Sequence, residues 1–102
     1  PNIVITSPGC AEEVAPGVLT VTGMAQVFEA ALSVDIRDAS GAALLTQNVM
    51  AASGVEFSPW AAAFDLSALP TGAGFYDVVA YTHSAQDGSV IDEFPVQIAV
   101  GP

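Results

Sequence analysis

The sequence predicts an all-β domain, an antiparallel sandwich of two stacked sheets made from seven to eight short strands. Three observations lead there. Apolar and polar residues alternate at a period of two in run after run, as in Leu32, Val34 and Ile36 against Ser33, Asp35 and Arg37, the repeat of a half-buried strand. Clusters of Gly, Pro, Asn, Asp and Ser interrupt these runs at short intervals, as turns do. No stretch keeps a helical period for long.

Taken in order, Asn2–Thr6 is a β-branched run with good strand propensity, stopped by Ser7-Pro8-Gly9. Glu12, Glu13 and then Ala15-Pro16-Gly17 read as a loop, since proline donates nothing to a ladder. The segment Gly17–Asp38 organises the rest. Leu19 and Val21 alternate with Val18, Thr20 and Thr22 up to a break at Gly23, and Leu32–Arg37 alternates again beyond it. Other strands are expected to lie against this pair. Between its halves, Val27 and Phe28 are expected to plug one end of the sheet, in a segment short enough for one helical turn.

Asp38-Ala-Ser-Gly41 forms a turn, because Asp bonds to the backbone ahead and Gly accepts a positive φ. Ala42–Ala51 returns as a strand with poor alternation. Ser53-Gly54 turns into Val55–Leu66, where Pro59 demands an edge or a bulge, with Phe57 and Phe64 expected inward. Ala68–Gly74 is a loop. Phe75–Ser84 is apolar on both faces, as a central strand is. Asp87-Gly88 is the strongest hairpin signal in the chain. Val90–Val100 closes it, with Phe94, Val96, Ile98 and Val100 on one face and Pro95 calling for a free edge nearby. This pattern reads as an immunoglobulin-like sandwich. A closed barrel satisfies the same alternation.

Size and composition agree. At 102 residues the chain is one domain, residues 1–102, able to hide about two-thirds of its unfolded surface in one core. Its 52% apolar share marks a folded globule, though much of that share is Ala. The opening Pro1 leads us to expect a domain excised from a longer chain. Cys10 is the one cysteine, so no internal disulfide and no cysteine-built zinc site forms; the short segment before it is no lipidation signal. No run reaches the length of a membrane helix, and we expect no membrane insertion.

Eleven acids face Arg37 alone, for a net charge of −10. That balance argues against nucleic acid, whose phosphates are bound through Lys and Arg, and against anionic membrane surfaces. Its plainest use is solubility for an Ala-rich surface.

An opening carried by Ile3, Ile5 and Pro8 is followed by Val21, Gly23, Ala25, Phe28, Glu29 and Ala30. An alternating strand then ends at Asp38 and Gly41, and Asp87-Gly88-Ser89 precedes a closing strand with Pro95, Val96, Gln97 and Ile98. Over essentially its whole length this pattern resembles the Gmad2 family, the immunoglobulin-like domain of bacterial spore-germination and related cell-surface proteins. The chain departs from that family in its scarcity of basic residues. The resemblance implies an extracytoplasmic bacterial module, secreted or attached to the envelope, joined to other domains and without enzymatic activity. Its partners would be other protein domains or cell-envelope components, and no cofactor is implied.

Chemistry-bearing residues are few. His83 with Ser84 or Ser89 and Asp87 has the composition of a hydrolase triad, but adjacent strand residues point to opposite faces and no nucleophile elbow is present. Trp60 and Tyr81, with Tyr76, are the candidates for an aromatic platform that would bind glycan or a partner, against ordinary core packing. Asp87 and Asp92 are the candidates for a hard-cation site, although the D-x-D-x-D-G run of a calcium loop is absent and solvated carboxylates are the simpler reading. Glu29 is expected to accept backbone N–H bonds and pin the crossing between strands. Two functions follow: a non-catalytic surface interaction module, or a carbohydrate-binding accessory domain of a secreted enzyme.

Overall fold

A computed structural model describes residues 2–69, 74–84 and 86–101, apart from the Phe28 side chain. The loop expected at Ala68–Gly74 falls partly, and the Phe28 plug wholly, outside the described residues. Among the described residues, eight strands form two sheets. The smaller has the order β1 (Ile3–Ser7), β3 (Val18–Ala25), β6 (Ser58–Asp65); the larger runs β2 (Glu12–Val14), β8 (Val90–Val100), β7 (Gly74–His83), β4 (Ala31–Arg37), β5 (Ala43–Met50). The core lies between them. Ile3, Val21, Trp60 and Phe64 from one sheet meet Val34, Ile36, Val78 and Ile98 from the other, all 4% exposed or less.

The organising segment is corrected in two respects. Its two strands do not pair: β3 is central in the small sheet and β4 lies in the large one. The chain crosses through a turn at Phe28–Ala30, where Glu29 and Ala30 both hold positive φ, 56° and 60°. Gly23 is no break either. Strand β3 runs through it to Ala25, and Gly23 stands opposite both Ile5 and Trp60.

The prolines fall where an edge tolerates them. Leu66 donates its N–H to Gly17 across the β3–β6 ladder, so by alternation the even residues of β6 face β3 and Pro59 turns its nitrogen outward. On β8, the Gln97 carbonyl faces outward to the Ala11 N–H. Pro95, two residues earlier, turns the same way, past the end of β2. The expected free edge is there.

Two expectations fail. Glu12–Val14, read as loop, is a strand that pairs parallel to β8 with Val14 opposite Val100, so the larger sheet is not wholly antiparallel. Phe57, expected inward, is 45% exposed. Strand β6 begins at Ser58 and buries Ser58, Trp60, Ala62 and Phe64 in strict alternation, which leaves Phe57 before the strand and out of phase with it.

Candidate functional site

The most connected polar cluster lies on the outer face of the larger sheet. Asp35 and Arg37 are two apart on β4 and therefore share that face. Register sets Thr46 of β5 and Val79 of β7 on either side of Asp35, and Tyr81 one step along β7. Opposite Tyr81, β8 bulges: Ala80 pairs with Phe94 and Thr82 with Ile91, so Asp92 and Glu93 together face one residue. Asp92 takes a φ of 57° to do so, and Glu93 comes within reach of Arg37.

Asp35 is only 2% exposed, and four donor groups satisfy it. Arg37 Nε and Nη2 both reach Oδ2, at 3.0 and 2.9 Å. The hydroxyls of Thr46 and Tyr81 donate to Oδ1 at 2.9 and 3.1 Å. A buried carboxylate demands such donors, because its desolvation is otherwise uncompensated. The Arg37 guanidinium also meets Glu93 at 3.3 Å and lies 5.3 Å from the centre of the Tyr81 ring, within cation–π range. Tyr81 in turn meets the His83 ring edge-on at 5.5 Å. Burial, with the Asp35 charge adding to it, pushes the Tyr81 hydroxyl above its ordinary range.

Beside this cluster, at the Ala31 end of β4, lies an open groove of about 500 Å³ with Glu29, Ser33, Asn48, Met50 and His83 on its walls. Ser33 donates to the Asn48 side chain at 2.8 Å. Glu29 is exposed there, and among the described residues its carboxylate accepts no hydrogen bond, so the pinning role expected of it is not what the structure displays.

The residues singled out from sequence do not converge. Trp60 is 4% exposed and Tyr76 3%; both lie inside the sandwich, so the three-ring platform does not exist as one surface. Tyr81 alone of the three stands on the outer face. Asp87 turns its Oδ1 to the backbone and hydroxyl of Ser89, at 3.0 and 2.7 Å, while Asp92 accepts from the Asn2 amide at 3.3 Å. Among the described residues no three acidic, His or Cys side chains gather to hold a metal ion. The triad does not assemble either: the Ser89 hydroxyl is spent on Asp87, Ser84 Oγ accepts the Gln86 N–H, and His83 packs instead against the Tyr81 ring. Sequence reasoning weighed Asp35 only with Asp38, as a carboxylate pair for a cation, and missed its cluster with Arg37 and Thr46. The available signal was an acid in the middle of a strand two residues from the chain's lone Arg.

The sequence model of Gmad2, the immunoglobulin-like domain of bacterial spore germination, matches residues 2–89. The chain belongs to the Gmad2 family. Solved structures agree on its fold. CopC from Methylosinus trichosporium OB3b superposes with a TM-score of 0.62 at 20% identity, over 98% of this Gmad2 chain and 94% of CopC. An engineered protein solved by the Northeast Structural Genomics Consortium gives a TM-score of 0.67 at 21% identity over 98% of the chain, which spans only 20% of that larger protein. No curated protein matches the sequence. Among the described residues, no helix is long and apolar enough to cross a membrane.

Proposed function

We propose that this Gmad2 domain is a non-catalytic, extracytoplasmic module of a bacterial cell-surface or spore-germination-type protein, and that it works by contact with other protein domains or envelope components. The observation that carries the reading is the state of its polar groups. On the outer face of the larger sheet Asp35 is saturated by Arg37, Thr46 and Tyr81, so its charge is committed to holding that face together. The face offers a fixed shape with Tyr81 and His83 at its surface, which suits recognition. Family membership supplies the bacterial setting. The carbohydrate-binding alternative relied on Trp60 with Tyr76 and Tyr81; the first two rings are buried and present no face to a sugar, which leaves Tyr81 as its one accessible ring.

The test uses the intact protein in its own envelope fraction. The variant His83→Asp is expected to fold, since the position is exposed, and to lose envelope retention about tenfold or more, as loss of a central aromatic contact does. Undiminished retention would overturn the contact face. Hydrolytic turnover by the purified domain that disappears in His83→Ala would overturn the non-catalytic reading.

A further inference from the structure

Residues 2 and 101 lie at opposite poles of the sandwich. Strand β1 starts at Ile3, opposite Ala25 at the end of β3, and the Asn2 amide meets Asp92 near the start of β8. Strand β8 then runs the length of the larger sheet to Val100, opposite Gly74 at the start of β7. Its eleven residues cover about 36 Å at the rise of a strand. The molecule is 40 Å long and 24 by 19 Å across, so the strands follow its long axis.

Direction matters as much as position. Strand β1 is antiparallel to β3 and leaves the Asn2 pole in the smaller sheet. After Pro8 the chain changes sheets and keeps its heading, so that β2 lies parallel to β8 with Glu12, Glu13 and Val14 opposite Ile98, Ala99 and Val100. Backbone bonds flank this short ladder on both sides. Ala11 donates its N–H to the Gln97 carbonyl at 2.7 Å, and Gly101 donates to the Val14 carbonyl at 2.9 Å. Burial does not explain β2, whose Glu12 and Glu13 are exposed and whose Val14 is half-buried. What it has is backbone bonding where the incoming and outgoing chain run side by side.

A load that draws Asn2 and Gly101 apart acts along the strands. It drags β1 lengthwise past β3, and β2 past β8, while the bonds between strands run across it. Bonds loaded in this way share the force and must fail together. A strand pair opened from one end loses them one at a time. We infer that this domain carries tension, and that the β2–β8 ladder is the clamp that must slide before the fold opens. If the domain is a module of a longer surface protein, as we propose, such a load reaches it through these two poles. The purified chain suffices to test it, independently of the His83 face.

The measurement is single-molecule stretching at constant force in a Cys10→Ser background. One geometry holds the chain by its two ends. The other holds it by the C-terminal end and by Phe75→Cys, an exposed position opposite Ala99, from which β7 and β8 are opened at one end. At equal force the end-to-end geometry is expected to survive longer. Gly101→Pro deletes the N–H given to Val14; a Cβ at that position meets nothing nearer than 3.7 Å, so an unchanged circular dichroism spectrum is expected. Its end-to-end lifetime should fall about fivefold, the weight of one hydrogen bond in a barrier. Leu45→Ala removes apolar packing from β5, away from the load path. It is expected to speed unfolding in urea and to leave the end-to-end lifetime unchanged. End-to-end loading that ruptures as readily as loading through Phe75 would overturn the inference. So would a lifetime untouched by Gly101→Pro, or one shortened as much by Leu45→Ala.

Discussion

A Cβ on Gly23 would land on the Val4 carbonyl oxygen and on Cζ2 of the Trp60 indole. The indole fills that gap, so the glycine lets a large ring into the middle of the small sheet. Gly23→Ala leaves the backbone no room to yield and is expected to destabilise by about 3 kcal/mol, the upper part of the range for overpacked cores, read by urea denaturation. An unchanged midpoint would mean that the indole moves aside. Trp60 also explains an error of reading. Phe57 and Phe64 are an odd number of residues apart, so a strand cannot bury both without a bulge at Pro59. Trp60 and Phe64 share parity, and period two already placed Trp60 in the core.

The buried Asp35 supports a second residue-level prediction. Asp35→Ala strips the Thr46 and Tyr81 hydroxyls of their acceptor and Arg37 of its closer carboxylate. A loss of about 2 kcal/mol is expected, below the full price of an orphaned buried charge because Arg37 is 23% exposed and keeps Glu93. Tyr81 gives a spectroscopic check on the same network. Burial and the Asp35 charge raise its folded value above 10.0, so its share of stability is constant below that pH and is lost as pH rises through the folded value. Asp35→Asn should bring the Tyr81 ring titration, followed by NMR, back toward 10.0. No change would mean that burial alone sets it.

At the scale of elements, one device recurs. Asp38-Ala-Ser40, Asp65-Leu-Ser67 and Asp87-Gly-Ser89 each place a carboxylate on the N–H and the hydroxyl of the Ser two residues on, with N–H distances of 2.9, 3.0 and 3.0 Å. They close the β4–β5 turn, the exit of β6 and the β7–β8 turn. The Ser40 hydroxyl and the Ala42 N–H hold Asp38 below its ordinary value, the Ser67 hydroxyl and N–H do so for Asp65, and the Ser89 N–H and hydroxyl for Asp87. A carboxyl group depressed on folding adds stability above its unfolded value and withdraws it as pH falls through the folded one. The urea midpoint is therefore expected to drop below about pH 4, and a triple Asp→Asn variant should show a shallower drop over that window. Equal slopes would assign the acid loss to other carboxylates. The turns at Asp38 and Asp87 were legible because Asp and Gly dictate them locally. Strand β2 was not, because three residues of mixed polarity carry no period and their parallel pairing with β8 depends on a chain end far away in sequence.

For the molecule as a whole, alternation fixed which residues face inward along each strand but not which strands are neighbours. That is why β3 and β4 read as a pair although the turn at Glu29 and Ala30 sends them to opposite sheets. The Asp35 cluster was hidden for the same reason, being assembled from four strands at once. Net charge, by contrast, is a whole-chain property that the sequence states outright. Eleven acids against one Arg repel one another most when the chain is compact, and unfolding relieves that repulsion. Salt at 0.5 M shortens the screening length to about 4 Å, against about 30 Å at 0.01 M, so it should remove most of the opposition to folding among exposed carboxylates. The Arg37 contact with buried Asp35 is shielded from that screening and is retained. The melting temperature is therefore expected to rise between those two salt concentrations by several degrees, since about 1 kcal/mol corresponds to roughly 4–8 °C in a domain of this size. The rise should be the same with NaCl and KCl, because screening depends on ionic strength. A melting temperature that stays flat or falls with salt would mean that attraction around Arg37 outweighs the repulsion of the remaining acids.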